Sequence, residues 1–580
     1  MLRRALLTLL IATPAWAYDQ APVPGRHAMV VSAQALASKA GLDMLAQGGN
    51  AVDAAVAVGY ALAVVYPAAG NLGGGGFMTL RLADGTATFL DFREKAPLAA
   101  TAGMFLDDQG NVAKGRSTDT WLAVGIPGSP AGLEAARAKY GKLPRAAVLA
   151  PAIQLARDGF VLGPGDTALL KFGTDEFRRD PATAAIFLPN NTPLQPGDRL
   201  VQPDLARTLQ RLATEGPDAL YRGPIGDAIA AASTAGGGMI QKRDLESYKV
   251  REMKPVECTY RGYLIQSAPP PSSGGAVICE ILNILEGYDL RSLGFHSAAE
   301  THVLVEAMRH AFLDRNARLG DPDFIDNPID RLLDKTYAAA LRAHIDPVRA
   351  TPSAELKPGT PPHEGNNTTQ FSVMDEAGNA VSVTYTLNGW FGIHRVAAGT
   401  GILMNNEMDD FTSKPGEANM FGLVQGEANA VAPGKTPLSS MAPTIISKDG
   451  KTVMVVGSPG GPRIITITLE AILNVIDHGM TMQEAIDAPR IHHQWLPDKV
   501  YIERFALSPD TRALLESRGY SFVESAPWGV AEGILAGSPR LTPTGFGAAQ
   551  SLNVGVPALP GATLFGAHDP RGSAGAAIGD

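Results

Sequence analysis

The chain has 580 residues, 45% of them hydrophobic and 18% charged, with no low-complexity tract, as expected of a folded globular protein rather than a disordered one. A formal net charge of −9 and the lack of a basic patch argue against a nucleic-acid partner, because nothing offers phosphate neutralisation. Cys258 and Cys279 are too few for a disulfide scaffold but allow one bond in an oxidising compartment, and no Cys/His spacing resembles a zinc site.

Met1 to Ala17 combines Arg3 and Arg4, an apolar run from Ala5 to Ala12 and a small-x-small end at Ala15-Trp16-Ala17. This pattern predicts a secretory signal peptide cut before Tyr18, too short to anchor the chain in a bilayer. No later stretch is long and apolar enough to span one. The short Arg-Arg segment reads as Sec-type, which for a bacterial host implies the periplasm or the exterior.

The first half reads as helices interleaved with strands. Val30 to Ala33 is strand-like, Gln34 to Ala46 helical, and Ala51 to Val65 a second helix with few charges, expected to be buried on most sides. The run Gly73-Gly74-Gly75-Gly76 precedes strands over 78–82 and 86–92; glycines there permit close backbone approach. They satisfy neither G-x-G-x-x-G nor the P-loop pattern, so nucleotide binding has little support. Helices are predicted from Gly128 to Ala138, from Pro144 to Asp158, and from Thr301 to Arg318, where Val303, Ala307, Ala311 and Leu313 recur at roughly helical spacing. Pro269 to Gly275 reads as a rigid turn before an apolar helix; its serines are not in a G-x-S-x-G elbow. Lys335 to Glu364 is polar, and Pro352, Pro358, Pro361 and Pro362 fall in it, which suggests an exposed loop.

That loop leads into Gly365-Asn366-Asn367-Thr368-Thr369-Gln370-Phe371-Ser372-Val373, where turn chemistry breaks into strand alternation. A five-residue turn at Asp375 to Asn379 predicts a hairpin with Ala380 to Asn388. If Met374 pairs with Ala380, Ser372 faces Ser382, Gln370 faces Thr384 and Thr368 faces Thr386, all on one side. Two readings of that hydroxyl row stand open: a solvent-facing strand side, or a nucleophilic threonine at the strand's start with a second threonine beside it. Beyond lie strand signals at 399–405, 440–448 and 451–458, then helices at 464–477 and 482–488. Adjacent His492 and His493 point opposite ways on a strand, which favours structural roles over a metal pair.

Several of these segments, in this order, resemble the gamma-glutamyltranspeptidases. They are Gly48-Gly49-Asn50-Ala51-Val52-Asp53, the tetraglycine, Asp91-Phe92-Arg93-Glu94-Lys95, Asn367-Thr368-Thr369, Val383 to Asn388, Asn405 to Phe411, Pro437 to Thr444 and Gly457 to Gly461. The resemblance covers nearly all of the mature chain. It implies an α+β fold, the four-layer αββα sandwich of N-terminal-nucleophile hydrolases, formed jointly by a large subunit (18–367) and a small catalytic subunit (368–580) that stay associated. The precursor would cut itself between Asn367 and Thr368, needing neither cofactor nor metal.

The same resemblance supplies roles. Thr368 becomes the nucleophile, its freed α-amine the base, and Thr386 orients the new terminus. An α-amine titrates near neutrality, which suits general-base work on a weakly nucleophilic hydroxyl. Arg93, with Ser439 and Ser440, would hold the α-carboxylate of a γ-glutamyl substrate; Glu407 and Asp410, with Asn388, its ammonium; Gly460 and Gly461, the oxyanion. Bland alternatives exist for each alone: Arg93 in a surface ion pair, Asp410 as a helix cap, the two serines in a turn. Glu407 stands where other members carry Gln. Phe421 stands in the lid where many bacterial members have Tyr, losing a hydroxyl that could bond Asn388. The expected activity is transfer of a γ-glutamyl group from glutathione or related amides to water, an amino acid or a peptide. A cephalosporin (glutaryl) acylase, or an exported solute-binding protein without chemistry, are the alternatives.

Overall fold

Strands Thr369–Met374 and Ala380–Thr386 form a hairpin with Met374 opposite Ala380, Ser372 opposite Ser382 and Gln370 opposite Thr384, the register that the alternation predicts. In this computed structural model, which describes residues 21–356, 368–541 and 559–580, Thr368 is the first residue described after 356. The expected signal peptide and Asn367 lie outside the described residues.

The hairpin sits in the middle of a seven-stranded antiparallel sheet. Met29–Ser32 pairs with its first strand and Gly75–Arg81 with its second. A second antiparallel sheet of seven strands packs face to face on the first; Lys451–Gly457 and Glu532–Ala536 lie over the hairpin. Helices Ala35–Ala46, Ala51–Val65 and Ser129–Tyr140 cover the outer face of the hairpin sheet, and Gly274–Leu285, Arg463–Ile476 and Met482–Asp487 cover the other. The result is the αββα sandwich, in which residues from both sides of position 367 contribute strands to both sheets.

The sheet geometry resolves the hydroxyl row, and not towards solvent. Gln370, Ser372, Ser382 and Thr384 are completely buried between the two sheets. Ser372 donates to the carbonyl of Glu532 (3.0 Å), Ser382 to that of Val456 (3.3 Å), and Thr384 to Gln370 Oε1 (2.6 Å). Such groups cost little when buried because each finds a partner. The opposite face, with Val381, Val383 and Tyr385, packs in the core formed by helix Ala51–Val65. Every residue of that helix is buried, as its near-total lack of charge implied, and Asn50 and Asp53 close its first turn as a capping box.

Three expectations need correction. Lys335–His344 is a helix, not loop: Asp334 caps it by accepting from the N–H of Thr336 (2.6 Å), and Ala338 is buried. The prolines that suggested a loop begin only at Pro352, and 357–364 lie outside the described residues. Of 399–405, only Ile402–Leu403 is strand, because Gly399 and Gly401 take left-handed φ values of 79° and 72° in a turn. The strand expected from Ser440 starts at Thr444, after Pro443, which has no N–H to give a ladder. Cys258 and Cys279 are joined in a disulfide that ties strand Val256–Tyr260 to helix Gly274–Leu285. No helix among the described residues is long and apolar enough to cross a membrane.

Candidate active site

Nine of the ten residues singled out as catalytic or substrate-binding line one cavity; the exception, Gly460, is the immediate neighbour of Gly461, which does. The cavity is narrow, about 20 Å³, close to the least that holds one water.

Thr368 lies one residue before the strand Thr369–Met374, at the mouth of the hairpin, and is almost fully buried. Thr386 ends the partner strand. Its Oγ1 accepts from the backbone N–H of Asn388 (2.8 Å), bending the chain into a left-handed residue at Asn388, where φ is 71°. The tetraglycine lets the next strand approach: a Cβ on Gly74 would stand 2.0 Å from the carbonyl oxygen of Thr386. Asn71 secures the same carbonyl through Nδ2 (2.9 Å).

Gly460 and Gly461 immediately precede helix Arg463–Ile476, whose cap is Pro462. Both take positive φ, 140° and 56°. Their backbone N–H groups donate to no acceptor among the described residues, and the positive end of the helix dipole lies behind them.

Arg93 follows the strand Ala87–Phe92 and is buried, so the surface-ion-pair alternative fails. Its Nη2 donates to Asp410 Oδ2, and its Nη1 pairs with Glu407 Oε1. The Glu407 contact is an ion pair without hydrogen-bond geometry; neither Glu407 oxygen has a hydrogen-bond donor. Glu94 Oε2 lies 3.8 Å from the same Nη1. Burial works against the Arg93 charge, but Glu407, Asp410 and Glu94 together hold the guanidinium well above its usual range. Burial pushes the Glu407 carboxyl well above the carboxylate range, with Arg93 opposing, and pushes Glu94 to about 7. Glu407 and Asp410 belong to one short turn, Glu407–Asp410, held by Asn405, whose Oδ1 accepts from the Glu407 N–H (3.0 Å).

Ser439 and Ser440 form the opposite wall. Ser439 is braced by Ser273, which donates to its carbonyl from both N–H (2.8 Å) and Oγ (2.7 Å), and Ser272 Oγ donates to the carbonyl of Met441. The Pro269–Gly275 turn is thus structural, as expected. Ser440 Oγ accepts from Arg315 Nη2 (2.9 Å). The lid crosses above: Phe421 is buried and lines the cavity, and Gln494 Nε2 holds the carbonyl of Gly422 (3.2 Å). Asn388 Nδ2 reaches the carbonyl of Asn406 (3.0 Å) and the thioether of Met420 (3.6 Å) rather than any hydroxyl of residue 421. His492 bonds the buried Thr466 and Gln494, and the buried His493 bonds the exposed Asp498.

A family model described as Gamma-glutamyltranspeptidase matches residues 37–548. The chain belongs to the gamma-glutamyltranspeptidase family. It is 58% identical to the glutathione hydrolase proenzyme of Pseudomonas sp. (strain A14) over 97% of this chain and 96% of that one. Among solved structures, the cephalosporin acylase from Bacillus halodurans is similar with a TM-score of 0.82 and 26% identity, covering 99% of both chains. A chain of the Helicobacter pylori gamma-glutamyltranspeptidase is 46% identical with a TM-score of 0.55, and covers 56% of this chain and 93% of its own length.

Two residues of this gamma-glutamyltranspeptidase site escaped the sequence reading. Arg315 is fully buried, lines the cavity and bonds Ser440 and Ser273 (Nε, 2.9 Å); burial lowers its pKa to about 10. The signal was present, because Arg315 continues the row Val303, Ala307, Ala311 at four-residue steps along the buried side of helix Ala298–Arg318. Glu94 was quoted only as part of a motif, yet it is fully buried against Arg93.

Proposed function

We propose that the chain is an exported precursor that cuts itself between Asn367 and Thr368, giving a large subunit of 18–367 and a small one of 368–580. We read the product as a γ-glutamyl transferase and glutathione hydrolase. The observation that carries this reading is the convergence of Thr368, just ahead of its strand, with Thr386, a helix-start glycine pair and an arginine faced by two carboxylates in one cavity.

In processing, Thr368 Oγ attacks the Asn367 carbonyl and the peptide nitrogen leaves as the new α-amine; water then resolves the ester. In turnover, that amine takes the proton from Thr368 Oγ as the oxygen bonds to the γ-carbonyl of the substrate. The N–H groups of Gly460 and Gly461 receive the oxyanion, and the proton passes to the departing amine. The γ-glutamyl–Thr368 ester then yields its acyl group to water or to the amine of an amino acid or peptide, and the proton returns to Oγ. A zwitterionic substrate exchanges the internal ion pairs for its own: its α-carboxylate takes Arg93, with Ser439 and Ser440, while its ammonium takes Glu407, Asp410 and the Asn388 amide oxygen. Thr386 orients the terminus.

The Bacillus halodurans likeness keeps a glutaryl acylase as the second reading, and the carboxylates of Glu407 and Asp410 weigh against it, since a glutaryl group brings no ammonium to pair with them. Denaturing electrophoresis with N-terminal sequencing tests the proposal. Two fragments are expected, one starting at Thr368 and one at Tyr18 after export, with a single chain from Thr368→Ala. Full activity in an uncut chain would overturn it. Faster release from glutaryl than from γ-glutamyl anilides would favour the acylase.

A further inference from the structure

We propose that Glu94 and Glu407 hold one proton between them beside Arg93, and that this proton keeps the guanidinium available to a ligand's α-carboxylate. Glu94 is then a positioning residue acting through Glu407 and Arg93. The inference rests on the γ-glutamyl reading of the cavity.

The geometry leaves few alternatives. Both side chains are completely buried, and beyond Arg93 and each other no side-chain donor reaches their carboxyl oxygens among the described residues. The two carboxyls meet each other. Both also face the same guanidinium nitrogen: Glu407 touches Arg93 Nη1, and Glu94 stands 3.8 Å from it. Nη2 is engaged by Asp410, so one positive charge confronts three carboxyls. Arg315, which lines the same cavity and feels Asp410, is another cation there; Tyr221 and Tyr248, which also sense Glu94, are kept as neutral phenols by burial. Two buried carboxyls in contact, sharing one guanidinium, do not both ionise until the pH is above the ordinary carboxylate range, because burial and mutual repulsion together outweigh the attraction of Arg93.

The backbone is built around this pair. A Cβ on Gly75 would lie 2.6 Å from Glu94 Oε2, and one on Gly125 would lie 3.0 Å from Glu94 Cβ. The third glycine of the tetraglycine thus makes room for a carboxyl whose charged neighbours are Glu407 and Arg93. With its proton the pair carries one negative charge. Without it, a second carboxylate competes for Nη1, where the ligand's carboxylate must bind.

L-Glutamate serves as the probe, measured calorimetrically on the purified protein between pH 5.5 and 8.5. In wild type the Kd is expected to weaken about tenfold between pH 6 and pH 8, with the local slope rising at the alkaline end towards the one-proton limit of tenfold per pH unit. Glu94→Gln and Glu407→Gln each fix the pair at one negative charge, since the amide donates to the remaining carboxylate. In both variants the Kd is expected to vary by less than about twofold over that range. Near pH 7.5, wild type is expected to take up protons on binding glutamate, and Glu407→Gln none, which keeps the test open should Glu94→Gln fail to fold. A wild-type slope persisting in both variants would assign the titration elsewhere, for instance to the chain-start amine, and overturn the inference. So would a flat profile in Glu407→Gln alone. Folded proteins that bind no glutamate at any pH would instead remove the γ-glutamyl reading, and this inference with it.

Discussion

Arg315 Nη2 donates to Ser440 Oγ across 2.9 Å, joining two residues 125 positions apart in the chain. The guanidinium is fully buried and also holds Ser273, so a single side chain fixes both segments of the serine wall. Arg315→Lys keeps the charge and loses the fork. A charge-assisted bond of this kind contributes about 1.5–3 kcal/mol. The expected outcome in steady-state assays is a KM for γ-glutamyl anilide raised by about tenfold or more, with kcat less affected.

Thr386→Val preserves shape and removes the acceptor for the Asn388 N–H. Leaving that buried donor unmet costs about 1–3 kcal/mol in stability. Because Thr386 lines the same cavity as Thr368, kcat/KM is expected to fall by about 100-fold, the scale of a lost general-base alignment. Denaturant melts and initial rates on one preparation separate the two effects.

Gly75→Ala would put a methyl 2.5 Å from the Phe92 carbonyl oxygen and 2.6 Å from Glu94. Overpacking of this sort costs about 1–3 kcal/mol. A lower denaturation midpoint is expected, together with a changed pH dependence of glutamate binding.

The Cys258–Cys279 bond closes a loop with a sequence separation of 21. Loop-closure entropy for that length predicts a loss of about 3 kcal/mol on reduction. Chemical denaturation with and without reductant measures it, and Cys258→Ser should reproduce the reduced value.

Phe421→Tyr adds a hydroxyl to the lid beside Asn388, whose Nδ2 reaches the Met420 thioether and the Asn406 carbonyl. A firmer lid excludes water better from the acyl-enzyme. The ratio of transfer to hydrolysis, read from the products with and without an added dipeptide acceptor, is expected to rise by about two- to fivefold.

Much of this was legible along the chain wherever one element carries its own evidence. The hairpin register follows from side-chain alternation and a five-residue turn. The buried helix Ala51–Val65 follows from its composition and the Asn50 cap. What was not legible depends on partners distant in sequence. A row of hydroxyls looks solvent-facing until a second sheet, with strands from residues 444–457, 532–536 and 564–568, covers it. Arg315 looks like one more charge on a helix until Ser440 meets it. Glu94 reads as an ordinary acidic residue until Gly75, Glu407 and Arg93 enclose it. The helix Lys335–His344 was hidden because a composition average over thirty residues outweighed a local Asp334 cap.

The hairpin beginning at Thr369 lies between Met29–Ser32 and Gly75–Arg81, so each side of position 367 supplies the other's nearest neighbours in the sheet. A break there would release a chain end without releasing a piece. It would also be unrepeatable: once denatured, the halves would have to find each other from solution, having lost the tether that first aligned them. The molecule would then carry a memory of its own assembly that heat or urea could erase and cooling could not restore.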